Sequence, residues 1–243
     1  ALNNTAVVML SKTAPYFDKG DIELIKNATV RVIPPDSGAV YLPMVSDGVY
    51  AIPMQFSRYD KPYKLEVDIN GVLYEAESTL PQRVMIDSVK IEEATGLIAR
   101  FGNTDNKKTG KKVFMVNCYF KDLPGENYYR INAYRIVDSL PVLIDDDNAF
   151  QLFDDSYFNQ TDEIEMPLVA NLYSNEPIMV ELVTIDKATY TYYITMVQTR
   201  NSAGGSFSVP ENPKSNISKN ALGYFSVYSS DTMFAITPAF NLE

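Results

Sequence analysis

Histidine is absent from the 243 residues, and its absence removes several kinds of chemistry at once. Histidine is the commonest general base, the usual activator of a serine or cysteine nucleophile, and the commonest zinc ligand. No motif for another nucleophile stands out in the sequence. We therefore expect a protein that is not an enzyme and that carries no cofactor.

Cysteine is nearly absent as well, since Cys118 is the only one in the chain. No disulfide can therefore form within the chain. Cys118 lies in the sequence FMVNCYF, whose alternation places it within a strand, and a buried thiol with a structural role is the expected state.

Basic residues and long apolar runs are also scarce. The chain has 21 Lys and Arg residues against 31 Asp and Glu residues, a net charge of -10. Without a basic stripe, nucleic acid is not an expected partner. No apolar run approaches the length that a membrane-spanning helix needs.

Aromatic and β-branched residues are abundant, with 17 Tyr and 12 Phe in a sequence that is 46% hydrophobic. This composition favours strands over helices. The clearest local pattern is YKLEVDINGVLYEAES, in which residues 63–69 alternate between apolar and polar side chains. Asn70 and Gly71 then supply the two positive-φ positions of a two-residue hairpin turn.

Repeated strand and turn signals predict an all-β protein with two antiparallel β-sandwich domains. Residues 1–82 are expected to form an immunoglobulin- or transthyretin-like sandwich. Residues 83–243 are expected to form a larger sandwich or a flattened barrel with one helix near 186–200, and residues 96–101 are read as a strand. The helix follows from Tyr190, Tyr193, Ile194 and Val197, which recur at helical spacing.

The stretch at 212–229, NPKSNISKNALGYFSVYS, combines a polar turn-rich loop with an aromatic segment. Asn, Ser and Pro favour irregular backbone at 212–220. Residues 222–228 are expected to form a buried closing strand, in which Gly223 marks a bulge or a close backbone approach.

An acidic stretch offers the hard oxygen ligands that calcium prefers. Its spacing does not match an EF-hand loop, and a solvated acidic turn is the alternative. Asp154 and Asp155 follow shortly after, but neighbouring strand residues point to opposite faces and do not form a glycosidase pair. The calcium candidates are Asp145, Asp146, Asp147 and Asn148.

Several aromatic residues lie in loop-like stretches, where exposed rings can stack on sugars or anchor a protein partner. The alternative is that they only close the ends of the sandwiches, because most large aromatic side chains are substantially buried. These candidates are Tyr16, Phe17, Tyr157, Phe158 and Phe207.

Several separated stretches together resemble one family, the uncharacterised exported lipoproteins of Bacteroidota that contain a domain of unknown function. Such proteins are often encoded beside TonB-dependent outer-membrane transporters of the SusC/SusD type. The stretches are LSKTAPYF, NATVRVI, DGVY, YKLEVDINGVLYEAES, YYRI, the segment around Tyr190 and, most specifically, NPKSNISKNALGYFSVYS.

The resemblance implies a non-enzymatic lipoprotein on the cell-surface face of the outer membrane. Its expected partners are a TonB-dependent transporter and that transporter's lipoproteins, with a glycan or peptide as substrate, and its expected role is substrate capture or complex assembly. The implied lipid anchor is not present in this sequence. Two alternatives stay open: a structural or adhesive fimbrillin-like module, and a hydrolase.

Three short segments resemble the Asp-Ser/Thr-apolar pattern at which exported Bacteroidota proteins carry O-glycans. A pattern of three residues also arises by chance. The candidate acceptors are Ser88, Ser139 and Thr232.

Overall fold

The computed structural model describes residues 5–13, 22–101, 109–144, 150–157, 163–202 and 212–241. Strands dominate this part of the chain, and their pairings are antiparallel. The all-β prediction is therefore confirmed.

The chain divides into two units, and each is built from two separate segments. Unit 1 comprises Ala1–Gln82 and Ile185–Tyr228, and unit 2 comprises Arg83–Thr184 and Ser229–Glu243. The first segment of unit 1 ends where the sequence placed its boundary. The helix and the loop that follows it, however, belong to unit 1 rather than to the C-terminal domain in which we expected them.

Unit 1 contains a three-stranded sheet of order β1-β5-β4 and a four-stranded sheet of order β3-β2-β6-β7. Buried side chains from both sheets, among them Val8, Tyr50, Val32 and Leu65, form one apolar core, so the two sheets make a sandwich. The strands are β1 Thr5–Met9, β2 Ala28–Ile33, β3 Val40–Leu42, β4 Met44–Ser46, β5 Val49–Pro53, β6 Pro62–Ile69 and β7 Val72–Thr79.

The β6–β7 hairpin matches its prediction from sequence. Asn70 and Gly71 have φ angles of 54° and 84°, as the two-residue turn requires. The Gly71 amide also donates to Asp68 Oδ1 at 2.9 Å. The turn fixes the register of the pair, in which Leu65 lies opposite Ala76 with both side chains in the core.

Unit 2 contains a sheet of order β13-β9-β8 and a sheet of order β11-β10-β14-β15, with β12 also paired to β10. Its core includes three contacting rings: Phe120, Tyr129 and Phe153 lie with centroids 5.3 to 6.0 Å apart. The strands are β8 Ile86–Glu93, β9 Lys111–Phe120, β10 Tyr128–Val137, β11 Leu140–Leu143, β12 Phe150–Asp154, β13 Ile164–Tyr173, β14 Pro177–Ile185 and β15 Ser229–Ile236.

Two α-helices are described in full, α1 at Gly96–Phe101 and α2 at Lys187–Ser202, together with a 3-10 helix at Asp155–Tyr157. Helix α1 replaces the strand that we expected at 96–101. Gly96 has a φ of 62°, which starts a turn of the chain there instead of extending it. Neither helix combines the length and the hydropathy that crossing a membrane requires.

The closing strand expected at 222–228 is also absent. This segment has no assigned strand, and strand β15 begins only at Ser229. Gly223 has a φ of 109°, which interrupts an extended run. Of the residues predicted to be buried there, Val227 is buried, whereas Leu222, Tyr224 and Tyr228 are exposed.

Candidate binding surface

Helix α2 starts at an aspartate that also holds strand β7. Asp186 Oδ1 accepts a hydrogen bond from the Thr189 amide at 2.8 Å, the arrangement of a helix N-cap. Asp186 Oδ2 accepts from Ser78 Oγ at 2.7 Å and from the Thr79 amide at 3.0 Å. Both carboxylate oxygens are thus used, and the first turn of α2 is fixed against the end of β7.

The loop at 212–220 occupies the edge of β7 that does not pair with β6. The Ser218 amide donates to the Glu75 carbonyl at 2.8 Å, and Ser218 Oγ accepts from the Glu75 amide at 2.8 Å. Asn216 Nδ2 donates to the Glu77 carbonyl at 3.1 Å. The backbone hydrogen-bonding groups at this edge are therefore paired mostly with side chains rather than with a continuous strand.

Asn216 also closes the loop on itself. Its Nδ2 donates to the Phe225 carbonyl at 2.8 Å, and its Oδ1 accepts from the Phe225 amide at 2.9 Å. Upstream, the Lys214 amide donates to Thr195 Oγ1 on helix α2 at 3.0 Å. The loop is thus hydrogen-bonded to both β7 and α2.

Three tyrosines pack together where the segment after the loop reaches the helix. The Tyr224 ring lies 4.6 Å from the Tyr192 ring and 5.2 Å from the Tyr193 ring, measured between centroids. The hydroxyls of Tyr193 and Tyr224 are 2.7 Å apart and share a hydrogen bond. Tyr193 is buried, but Tyr224 is 40% exposed.

The environment of Tyr192 keeps its hydroxyl protonated. Burial raises the pKa of Tyr192 above its ordinary value, and the nearby Tyr224 adds to the rise. The three rings of the cluster are held in position by packing and by the hydrogen bond between Tyr193 and Tyr224. Large rigid aromatic side chains of this kind lose little entropy on binding a partner.

The apolar stripe predicted for helix α2 is only partly correct. Tyr193 is buried as expected, and Tyr190 and Ile194 are half-buried, but Val197 is exposed. Met196, one turn after Tyr192, is 37% exposed. The helix therefore leaves apolar side chains at the surface beside the tyrosines.

A groove of about 460 Å³ lies between the loop and the outer face of the β6–β7 hairpin. Its charged lining residues are Lys64, Glu66, Glu75 and Glu77, and residues 215–218 complete the lining. Glu66 and Glu75 lie directly opposite each other on the two strands, so two like charges face each other across the pair.

Arg31 on β2 offsets part of that charge. Its guanidinium forms an ion pair with Glu66 and donates to the Tyr41 hydroxyl at 3.2 Å. Because the Tyr41 hydroxyl and Glu66 both bond the charged form, the pKa of Arg31 is raised. The groove remains acidic, with Glu75 next to the loop.

Most of the predicted aromatic and calcium candidates fall outside the described residues. These are Tyr16, Phe17, Phe158 and Phe207, the side chain of Tyr157, and the four calcium candidates Asp145, Asp146, Asp147 and Asn148. Within the ranges that the structure describes, no group of three or more acidic, histidine or cysteine side chains is arranged to hold a metal ion.

The two aspartates after the acidic stretch have structural partners. Asp155 Oδ2 accepts a hydrogen bond from the Asn127 amide at 2.8 Å. Asp154 Oδ1 accepts from the Ser156 amide at 3.0 Å and from the Ser156 hydroxyl. These bonds shape the turn that follows β12.

The three candidate O-glycan acceptors differ in setting. Ser139 is exposed in the two-residue turn between β10 and β11, where its φ is 66°. Thr232 lies within β15, next to the buried Asp231, and Ser88 is half-buried at a register shift in β8. Ser139 therefore has the most accessible backbone of the three, and modification of all three stays a prediction.

Cys118 is a core residue of unit 2 and has no exposed surface. Burial, together with the negative charge of Asp231, raises the pKa of its thiol to about 12. A protonated thiol inside a core is a poor nucleophile. This agrees with the structural role expected from the sequence.

The sequence drew attention to 212–229 but not to the residues that make the surface. Tyr193 was read as part of a helix stripe and Tyr224 as part of a buried strand, and Tyr192 was not singled out. A usable signal was the Asn and Ser content of 212–220, since short polar side chains bond main-chain groups. Asn216 and Ser218 bond strand β7, about 140 residues away in sequence, and no local pattern reveals that partner.

These features define an all-β protein of antiparallel sheets with a preformed aromatic surface on unit 1. Residues 1–233 match the family model described as "Domain of unknown function (DUF4249)", and the chain belongs to that family. No curated protein matches the chain.

Among solved structures, the chain shows a weak likeness to the crystal structure of chicken CNTN1 FN1–FN3 domains. The identity is 11% and the TM-score is 0.26, over 75% of this chain and 57% of that chain. The match thus spans little more than half of the solved chain, and at this score it says nothing about function.

Proposed function

We propose that this chain is a non-enzymatic accessory lipoprotein on the cell-surface face of a Bacteroidota outer membrane. In this proposal it docks on a SusCD-like TonB-dependent transporter and assists substrate capture or complex assembly. The resemblance of its sequence to such lipoproteins and its membership of the DUF4249 family support the proposal.

The observation that carries the proposal is the surface formed by α2 and the 212–228 segment. Hydrogen bonds from Asp186, Asn216 and Ser218 hold this segment in place, and Tyr224 stays exposed on it. A surface that is ordered before binding suits recognition, because less entropy is lost when the partner arrives. The absence of histidine throughout the sequence further favours binding over catalysis.

The test is affinity purification from membranes of the native host. The full-length protein, tagged at its C-terminus and expressed from its own promoter, is expected to recover an outer-membrane transporter as its main partner. An unrelated surface lipoprotein with the same tag is the control. Recovery of no transporter, or of the same transporter by both proteins, would count against the proposal.

The fimbrillin-like alternative predicts polymerisation by donation of a strand to an open sheet edge. The β7 edge is already occupied by residues 216 and 218, which favours the accessory role for this part of the chain. Filaments in electron micrographs of the purified protein would favour the alternative instead.

A further inference from the structure

The segment that carries the tyrosine surface has a charge opposite to that of the whole chain. The net charge of the protein is -10, yet residues 187–230 contain four basic residues and one acidic residue, Glu211, a net charge of +3. The four basic residues are Lys187, Arg200, Lys214 and Lys219. The sign of the charge therefore changes along the chain at this segment.

Two of these lysines lie on the loop and keep their charges exposed. Lys214 and Lys219 are both exposed, and among the described residues neither forms an ion pair. The Lys214 amide is bonded to Thr195 Oγ1, which also donates to the Tyr192 carbonyl at 3.0 Å. Lys214 therefore lies beside the turn of α2 that carries Tyr192.

The two elements that carry the tyrosines also carry exposed apolar side chains. Leu222 is 45% exposed two residues before Tyr224, and Met196 is exposed one turn after Tyr192. Tyrosine and methionine are enriched at the centre of protein interfaces, which are typically surrounded by polar and charged residues. The residues at this surface have this composition, and Lys214 lies beside the tyrosines through the bond of its amide to Thr195 Oγ1.

We propose that Tyr192, Met196, Leu222 and Tyr224, with Lys214 and Lys219 at the margin, form a docking surface for an acidic surface of a partner protein. This inference rests on the proposed function and deepens it, since it assigns the surface and the charge of the partner. The aromatic rings bury apolar area against the partner, and the lysines favour carboxylates over other partners.

The test places a photo-crosslinker in the surface of the full-length protein in its native host. p-Benzoyl-L-phenylalanine is incorporated in place of Leu222, which leaves the three tyrosines unchanged. The matched control carries it in place of Val72, an apolar residue of the same unit that is 43% exposed. We expect a cross-linked protein at position 222 whose cross-linked segment is rich in Asp and Glu, and none at position 72.

Charge reversal then tests the margin. Lys214→Glu with Lys219→Glu is expected to lower the cross-linking yield at position 222 by about tenfold, because two attractive rim contacts become repulsive. Lys61→Glu with Lys121→Glu changes the net charge by the same amount at two exposed lysines outside the proposed surface, and is expected to leave the yield unchanged. Circular dichroism melting of each variant separates loss of binding from loss of folding.

Several results would overturn the inference. The first is the absence of a cross-link at position 222, or an equal cross-linking yield at positions 222 and 72. The second is a cross-linking yield at position 222 that charge reversal does not lower in folded protein. The third is a cross-link to lipid, to glycan or to a second copy of the chain. If a transporter co-purifies but no cross-link forms at 222, the inference fails and the proposed function stands. If an acidic protein that is not part of a transporter complex is cross-linked, the proposed function fails and the docking surface stands.

Discussion

Asp186 and Ser78 are 108 residues apart in sequence, and Ser78 Oγ donates a hydrogen bond of 2.7 Å to Asp186 Oδ2. Ser78 is almost fully buried, and its Oγ in turn accepts a hydrogen bond from the Val227 amide at 2.9 Å. The pair thus connects strand β7, the start of α2 and the end of the segment that carries Tyr224.

Replacing Asp186 with alanine is expected to destabilise unit 1 by about 2–4 kcal/mol, through a lost helix cap and unsatisfied partners on β7. Asp186→Asn keeps one oxygen acceptor and is expected to cost less. Urea unfolding followed by circular dichroism gives the two free energies. Equal stability of Asp186→Ala and the unchanged protein would show that the pair is dispensable.

Asn216→Ala removes three hydrogen bonds, two to Phe225 and one to the Glu77 carbonyl. We expect faster amide exchange over the loop and at Phe225, with a stability loss of roughly 1–3 kcal/mol. Hydrogen exchange with mass spectrometry provides the measurement. Asn212→Ala, at an exposed position of the same loop, is the control and should exchange as the unchanged protein does.

Gly48 and Gly71 form a matched pair of hairpin glycines with φ angles of 67° and 84°. At Gly71 an added Cβ meets no atom within 4 Å, whereas at Gly48 it would lie 2.8 Å from both the Leu10 carbonyl oxygen and the Leu24 Cβ. Gly71→Ala is expected to cost about 1–2 kcal/mol for the left-handed backbone alone. Gly48→Ala should cost about 1–3 kcal/mol more, because it adds a steric clash.

Thermal unfolding of the two variants gives this comparison directly. The backbone at Gly48 cannot easily shift, because its carbonyl accepts a hydrogen bond from the Leu10 amide at 2.8 Å. Equal melting temperatures for the two variants would mean that the β4–β5 turn yields to the new methyl group.

Cys118 makes stability depend on pH in the alkaline range. At neutral pH the thiol is protonated in both the folded and the unfolded chain, so it contributes no slope. Above its ordinary pKa of 9.0 the unfolded thiol ionises, while the folded thiol, with a pKa of about 12, keeps its proton. The free energy of unfolding then falls with rising pH, by up to about 1.4 kcal/mol per pH unit.

The check is a comparison of the unchanged protein with Cys118→Ala in urea between pH 8 and pH 10. Other titrating groups are common to both proteins and cancel in the difference. The variant should show the shallower decline, and iodoacetamide should modify Cys118 only after unfolding. Parallel declines would indicate that the thiol is accessible in the folded protein.

A fragment of residues 1–82 is expected not to fold, because it lacks the groups that satisfy the β7 edge. The Thr79 amide nitrogen and Asp186 Oδ2 are 3.0 Å apart, so a short Gly-Ser linker can join residue 82 to residue 185. The joined chain of residues 1–82 and 185–228 should have a satisfied β7 edge. Circular dichroism should report a cooperative melt for the joined chain and none for the fragment. A stable fragment would show that Ile185–Tyr228 is not needed by unit 1.

Local chemistry allowed much of the fold to be predicted. The turn at Asn70 and Gly71 was identified because both residues tolerate positive φ and lie between alternating strands. The Cys118 strand and its burial followed from alternation in the same way. Such features depend on neighbours within a few residues, which the sequence displays directly.

The candidate surface was much harder to predict, because its contacts are long-range. Glu75 and Ser218 are 143 residues apart, and neither residue type specifies such a partner. Tyr224 was expected in a buried strand because aromatic alternation resembles one, but the positive φ of Gly223 prevents an extended run. Whether an aromatic side chain faces the core or solvent then depends on which element packs beneath it.

The division of each unit into two segments affects how the protein is made. During synthesis Ala1–Gln82 leaves the ribosome long before Ile185–Tyr228, and Arg83–Thr184 leaves it before Ser229–Glu243. Neither unit can complete its native contacts until its second segment has been translated. A chain released early would therefore expose unfinished sheet edges to proteases and chaperones, so quality control can distinguish incomplete molecules from finished ones.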